Sequence, residues 1–223
     1  MTDADRAAEA LILERLRAEF PHSTITGEES GTHAGASSER WYVDPLDGTT
    51  NFLHGIPHFA ISIALARDGI IIAALIYNPA TDELFTAERG KGAFMNDRRL
   101  RVAARRQLGD AVIACGLPHR GRGDLTQFRQ EFAVVQSEVA GLRRFGAATL
   151  DLAWVAAGRF DAFWERDLSP WDMAAGLLLV REAGGYVTDL DGGEAMLDKG
   201  HIIAGNESMH RGLLQLVKSA NTG

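Results

Sequence analysis

From Trp41 to Phe52 the chain reads WYVDPLDGTTNF, which sets two aspartates three residues apart around a proline and then runs into glycine, two threonines and an asparagine. These are ordinary turn residues, and a DxxDG turn standing alone is more often structural than chemical. Further acidic groups stand at comparable places. Glu28 and Glu29 follow the β-branched run STIT, and Asp172 opens a helical stretch just after Pro170, where the helix dipole favours a carboxylate. Folding gathers the ends of separate elements into one cleft, where bare like charges raise one another's pKa unless they share protons or cations. Mg²⁺ suits such a set, because it is a hard ion that takes oxygen ligands, keeps waters and binds through one or two carboxylates together with a substrate phosphate. Within the central turn, Pro45 would end the strand RWYV and fix the bend, leaving Asp44 at the strand's carboxyl end. Asp44 and Asp47 would face an ion pair with the Leu46 carbonyl between them, while Gly48 and Thr49 offer backbone N–H groups to a phosphate.

The elements that must position these groups follow from hydrophobic period and turn chemistry. DADRAAEALILERLRAEF places Ala8, Leu11, Ile12, Leu16 and Phe20 near one face of an amphipathic helix that Pro21 closes. After it come the short strand STIT, the acidic turn, a polar loop THAGASSER and the strand RWYV. The stretch from His58 to Asn96 reads as an antiparallel meander with turns at Asp68-Gly69 and Asn78-Pro79. Helical period returns in LTQFRQEFAVVQSEV, AATLDLAWVAAG, PWDMAAGLLLVREAG and ESMHRGLLQLV, with short strands DAFWE, GYVTD and HIIAG among them. The chain shows neither an internal repeat nor a low-complexity linker, which points to one composite domain of layered sheets and helices.

Composition removes several function classes. With 223 residues and 46% hydrophobic content the chain can bury a large core, and its net charge of -7 argues against binding nucleic acid through a general basic surface. Arg98, Arg99, Arg101, Arg105 and Arg106 crowd one stretch, but without interleaved aromatics they read as a solvated hairpin and loop. No run approaches eighteen apolar residues and the amino end lacks the pattern of a secretory signal, so the expected location is cytoplasmic, away from membranes. Cys115, in the strand-like run AVIACGL, reads as a buried thiol, and the four tryptophans as core. His54 and His58 are four apart, but Gly55 and Pro57 prevent the helix that a zinc pair would need. The sequence shows no nucleophile elbow for a serine hydrolase.

Three motifs in order, GEES, DPLDGTTNF and WDMAAG, the last followed by EAGG, resemble the inositol monophosphatase family of metal-dependent sugar-phosphate phosphatases. The resemblance runs from the first helix to the last strand. The stretch RRFGAATLDLAWVAAGRFDAFWERDLSPWDMAAG is most similar to the family's bacterial inositol-1-monophosphatases. What the resemblance implies is an α+β fold, a layered α-β-α-β-α sandwich, forming one catalytic domain over residues 1–223. It implies that Glu28, Asp44 and the Leu46 carbonyl hold one Mg²⁺, and Asp44, Asp47 and Asp172 a second. Thr49, Asp47 and Asp5 become the catalytic set, the Thr49 hydroxyl orienting or deprotonating the attacking water with Asp5 as its partner. Substrate contacts fall to Asp47, Gly48, Thr49, Ala148, Glu165 and Asp172, with Arg143 on the pocket wall.

The activity so implied is Mg²⁺-dependent hydrolysis of myo-inositol monophosphate by water attack between two metals. Alternatives of the same class are histidinol phosphate and fructose 1,6-bisphosphate. A different class is a regulatory contact with the transcription machinery, as in some bacterial relatives, through the arginine cluster. The resemblance also implies a homodimer. Family members normally carry a further helical segment and a lysine loop before TDADRAAE, and Met1 stands where they have an aliphatic residue; the expectation is therefore an N-terminally truncated member with exposed apolar surface.

Overall fold

Pro45 does not end the strand that contains it. In the computed structural model, which describes residues 2–118, 121 and 123–220, strand β3 (Glu39–Asp47) passes through the proline and resumes pairing at Asp47. Asp44 pairs with Ser62 and Asp47 with Ala60, so three steps on one strand face two on the other. A bulge absorbs the residue that has no N–H to donate, which is how a proline is tolerated inside a sheet. Met1 lies outside the described residues.

Around β3 the amino-terminal half is built from α1 (Asp3–Glu19), β1 (Thr24–Gly27), β2 (Gly31–His33), the short α2 (Thr49–Leu53), β4 (Ala60–Arg67), β5 (Ile70–Asn78), β6 (Glu83–Glu88), β7 (Gly92–Met95) and β8 (Arg98–Arg99). Among the described residues these strands form one eight-stranded sheet in the order β2-β1-β3-β4-β5-β6-β7-β8. From β3 to β8 it is the antiparallel meander that the turn residues imply. β1 is the exception. It pairs parallel to β3, with Gly27 opposite Val43, so the next residues, Glu28 and Asp44, stand side by side. The polar loop after the acidic turn contains β2, an edge strand too short to carry a period.

The second half contributes β9 (Val112–Cys115), α3 (Leu125–Glu138), β10 (Gly141–Arg143), α4 (Ala148–Ala156), β11 (Ala162–Glu165), α5 (Pro170–Glu182), β12 (Tyr186–Thr188), α6 (Met196–Lys199), β13 (Ile202–Gly205) and α7 (Glu207–Ala220). Its strands make a five-stranded mixed sheet, β10-β9-β11-β13-β12. Helices α4 and α5 lie between the two sheets in the largest apolar cluster, which runs from Ile76 and Phe85 through Leu150, Leu152 and Leu179 to Phe163 and Ile202. On the far side of the small sheet, α3 and α7 pack Phe128, Val135, Leu213 and Val217 against Ile113, Trp164 and Ile203. α1 covers the near side of the large sheet, with Leu13 on Ile25 and Val43. The layers therefore run α-β-α-β-α.

The expected apolar stripe of α1 meets the sheet in part, with Ile12 and Leu16 packed against the cluster of Leu13, Ile25 and Val43, but its most buried positions include two acids. Asp5, Glu9 and Leu13 are buried, whereas Leu11 is exposed and Phe20 sits half-exposed against Trp41. Two carboxylates on the inward face carry polar work that a hydrophobic period does not register. Beside α1 the sheet carries an open apolar depression lined by Leu16, Trp41, Ile63, Leu75 and Phe94.

The middle layer is thin because α4 and α5 cross at Gly176, where an added Cβ would meet the Leu152 Cβ at 2.5 Å. Gly176→Ala is expected to destabilise the protein by about 1–3 kcal/mol through overpacking. Thermal unfolding should show a midpoint lowered by about 2–4 °C for each kcal/mol; an unchanged midpoint would mean that the helices part without cost.

Candidate active site

One cleft collects the ends of these elements. Glu28, Asp44, Leu46, Asp47, Gly48, Thr49, Ala148, Glu165 and Asp172 all line it, together with Gly116, Arg144 and Asp151. Glu28 comes from the end of β1, Asp44 to Asp47 from the bulge of β3, Ala148 from the first turn of α4 and Glu165 from the end of β11. Asp172 enters at the third residue of α5, inside a capping box in which its Oδ2 accepts the Ser169 N–H at 2.7 Å. Asp5, on α1, does not line the cleft and reaches it through the Thr49 hydroxyl.

The turn is held locally before it meets anything distant. Asp44 Oδ1 accepts the Leu46 N–H at 2.9 Å. Gly48 takes φ +84°, and a Cβ there would lie 2.9 Å from the His58 carbonyl oxygen, so both conformation and space require glycine. Asn51, in the helical turn that follows, donates to the carbonyls of His58 at 2.7 Å and Phe145 at 2.8 Å, tying the loop to the approach of α4. The Thr49 hydroxyl lies 3.2 Å from Asp5 Oδ1 and 3.1 Å from the Leu46 carbonyl oxygen.

Electrostatics distinguish this cleft from an ordinary surface. Burial, with added repulsion from Asp172, Glu29 and Asp5, pushes Glu28 up to about 7 against the relief of a hydrogen bond shared with Asp44. Burial and Asp172 likewise push Asp47 up to about 7, although Thr149 donates to its Oδ2 twice, from the backbone at 2.8 Å and the hydroxyl at 2.6 Å. Asp44 is raised well above the carboxylate range by burial and by Asp47, Glu28 and Asp172. Asp5 goes the other way. Burial would raise it, but hydrogen bonds from Thr2 and Thr49 hold it below its ordinary value.

Six carboxylates line the cleft, and four of them, Glu28, Asp44, Asp47 and Asp172, together with the Leu46 carbonyl make a hard all-oxygen set suited to a divalent cation such as Mg²⁺. Among the described residues no three His, Cys, Asp or Glu side chains converge on one point, so the donors ring the cleft and do not form a finished cage. Deprotonated together they would repel, and cations are the natural counter-charge.

Arg143 does not line this cleft: it ends β10 paired with Ala114, lines a separate depression beside Cys115 and Phe128, and donates to the Leu142 carbonyl at 2.9 Å. Arg144, one residue on, lines the cleft instead, as alternation along an extended segment dictates. Thr149 was not legible beforehand, because a threonine in AATLDLAW looks like any helix-start residue until its partner 102 positions away is known. The remaining readings place simply. Cys115 is buried with its thiol pushed up to about 12, and His58 is buried between Phe145 and Trp154 with burial pushing it down to about 4. Among the described residues, no helix is long and apolar enough to cross a membrane.

Residues 1–222 match the inositol monophosphatase family. The chain belongs to the inositol monophosphatase family. It is 60% identical over 219 residues to the inositol-1-monophosphatase of Mesorhizobium japonicum, covering 98% of this chain and 82% of that protein. It is 49% identical over 223 residues to a Pseudomonas aeruginosa protein named Nus factor SuhB, with the same coverage of each. The crystal structure of the extragenic suppressor protein suhB from Bartonella henselae superposes with a TM-score of 0.94 at 55% identity, covering 98% of this chain and 84% of that one. As an inositol monophosphatase family member the protein is a metal-dependent phosphoric monoester hydrolase acting on a small phosphate ester. The family's layered fold is the one described above.

The raised carboxylates carry a stability signature. Glu28 and Asp47 titrate near 7 in the folded chain but near their ordinary 4.5 and 3.8 when unfolded, so between these limits the folded state binds more protons. Stability of the metal-free protein therefore falls as pH rises through that window. In EDTA the thermal midpoint should drop between about pH 4 and about pH 7, and saturating Mg²⁺ should raise it more at the upper end. A metal-free midpoint that climbs with pH would contradict this clustering.

Proposed function

We propose that the protein hydrolyses myo-inositol monophosphate to inositol and phosphate, with Mg²⁺ held by Glu28, Asp44, the Leu46 carbonyl, Asp47 and Asp172. The observation that carries the reading is the crowding of Glu28, Asp44, Asp47 and Asp172 into one cleft beside a hydroxyl already bonded to Asp5. Bound there, the ions would supply Lewis acidity, lowering the pKa of water and stabilising the departing alkoxide.

The chain's own groups do the rest. Thr49 Oγ1, fixed between Asp5 and the Leu46 carbonyl, orients the attacking water, and Asp5, kept ionised by its hydrogen bonds, takes up the proton through that hydroxyl. The N–H groups of Gly48 and Thr49, at the start of α2, face the phosphoryl oxygens. Ala148, at the start of α4, and Glu165 contact the alcohol, the carboxylate accepting from ring hydroxyls. Glu165 has room because Gly116 lacks a side chain: a Cβ there would fall 1.8 Å from its carboxyl carbon. Histidinol phosphate or fructose 1,6-bisphosphate would place different groups against the same wall. The reading takes residues 1–223 as one cytoplasmic catalytic unit, working as a homodimer.

A second reading, a contact with the transcription machinery, rests on the exposed arginines 98, 99, 101, 105 and 106 and on the Nus factor name of the Pseudomonas relative. Retention of RNA polymerase on the immobilised protein, lost when these arginines are replaced, is the outcome it requires.

Phosphate release from inositol-1-phosphate should need Mg²⁺ and should fall by a factor of about 100 or more in Asp44→Asn. Near-normal turnover by that variant at saturating Mg²⁺ would remove the assignment. Glu165→Gln should instead re-rank alcohols, shifting relative kcat/KM values by roughly tenfold, the worth of one hydrogen bond to a charged group; an unchanged ranking would take Glu165 out of the pocket.

A further inference from the structure

α1 brings a second carboxylate to the turn that carries Glu28. Glu9 lies one turn beyond Asp5 on the same face, is 2% exposed, and among the described residues forms no ion pair. Each of its oxygens accepts a backbone N–H from the turn that carries Glu28: Oε2 from Glu29 at 2.9 Å and Oε1 from Ser30 at 2.8 Å. On the opposite side the Glu28 N–H donates to the Val43 carbonyl at 3.1 Å, immediately before Asp44. The turn is thus clamped from α1 and from β3 at once. Space is matched as closely as charge, since a Cβ on Gly27 would lie 2.8 Å from the Glu9 carboxyl carbon.

Burying a carboxylate without a cationic partner is costly, and two backbone donors offset part of that cost only if both oxygens accept. An amide in its place would turn an NH₂ toward one of the two N–H groups. We infer that Glu9 is a positioning residue: by fixing the Glu28-Glu29-Ser30 turn it keeps the Glu28 carboxylate against Asp44 and so sets the cation affinity of that side of the cleft. The inference rests on the reading of the cleft as a cation site, and it is separate from the identity of the ester.

The test compares Glu9→Gln with the wild type and with Glu14→Gln, a control on the exposed side of α1. Mn²⁺ is titrated into each folded protein and free Mn²⁺ is followed by electron paramagnetic resonance, with the Mg²⁺ dependence of phosphate release measured alongside. Glu9→Gln should bind Mn²⁺ about tenfold more weakly, the usual effect of removing a group that orients a ligand. Its Mg²⁺ half-saturation should rise in step, while kcat at saturating Mg²⁺ and the KM for ester change little; Glu14→Gln should match the wild type. A purely structural role would lower the thermal midpoint and leave metal affinity alone, so unchanged Mn²⁺ binding in a folded Glu9→Gln protein overturns the inference. If that variant does not fold, Gly27→Ala crowds the same carboxyl without removing its charge, and its Mn²⁺ affinity decides: weakened binding supports the clamp, unchanged binding refutes it. A wild type that binds Mn²⁺ but releases no phosphate from any ester would count against the phosphatase reading alone.

Discussion

Repulsion among carboxylates that burial has stripped of water is the constraint on which the rest of the structure depends. Burial raises Glu28, Asp44 and Asp47, Asp172 adds to all three, Glu28 adds to Asp44 and Asp47, and Asp47 adds to Asp44. A chain free to move would spread them apart. Here every one is tied by hydrogen bonds that do not depend on its charge partners: Asp44 to its own turn, Asp47 to Thr149, Asp172 to the cap of α5, and Glu28 through the backbone to β3. The two sheets and the helices between them act as the frame that these ties pull against.

The geometry of that frame has one deliberate irregularity. A fully antiparallel meander would send neighbouring strand ends in opposite directions and separate Glu28 from Asp44. The parallel pair of the large sheet, β1 with β3, sets the two in adjacent positions at the same end. The bulge at Pro45 then adds the one residue that brings Asp47 back to the ladder on the cleft side. Polar chemistry at the edge and apolar packing in the middle layer are therefore solved by different parts of the chain, the first by turns and the second by α4 and α5.

How much of this was legible in the sequence depends on the range of each interaction. The long helices, the meander and the acidic motifs were readable, because their signals are periods and short spacings. β2, α2 and α6 were not, being shorter than any period that would reveal them. The α1 stripe was legible only in part because two of its buried positions, Asp5 and Glu9, are polar, and the place of Arg144 in the cleft was not legible, because a one-residue phase in a three-residue strand leaves no trace in composition. Thr149, Glu9 and Asn51 were missed for a common reason. Their partners lie far along the chain, and nothing near them in sequence announces a buried donor or acceptor.

Those distant ties bear on the order of assembly. The hydrogen bonds that shape the cleft close loops of 44 residues between Asp5 and Thr49, 94 between Asn51 and Phe145, and 102 between Asp47 and Thr149. Contacts of such high contact order form only after the entropy of closing their loops has been met, and so late in folding. A nascent chain carries the whole acidic amino-terminal turn long before the threonine and the helix cap that restrain it have been synthesised. The cleft is in this sense a readout of completed folding, and a cation that recognises only the finished cleft draws the population toward the native state by mass action.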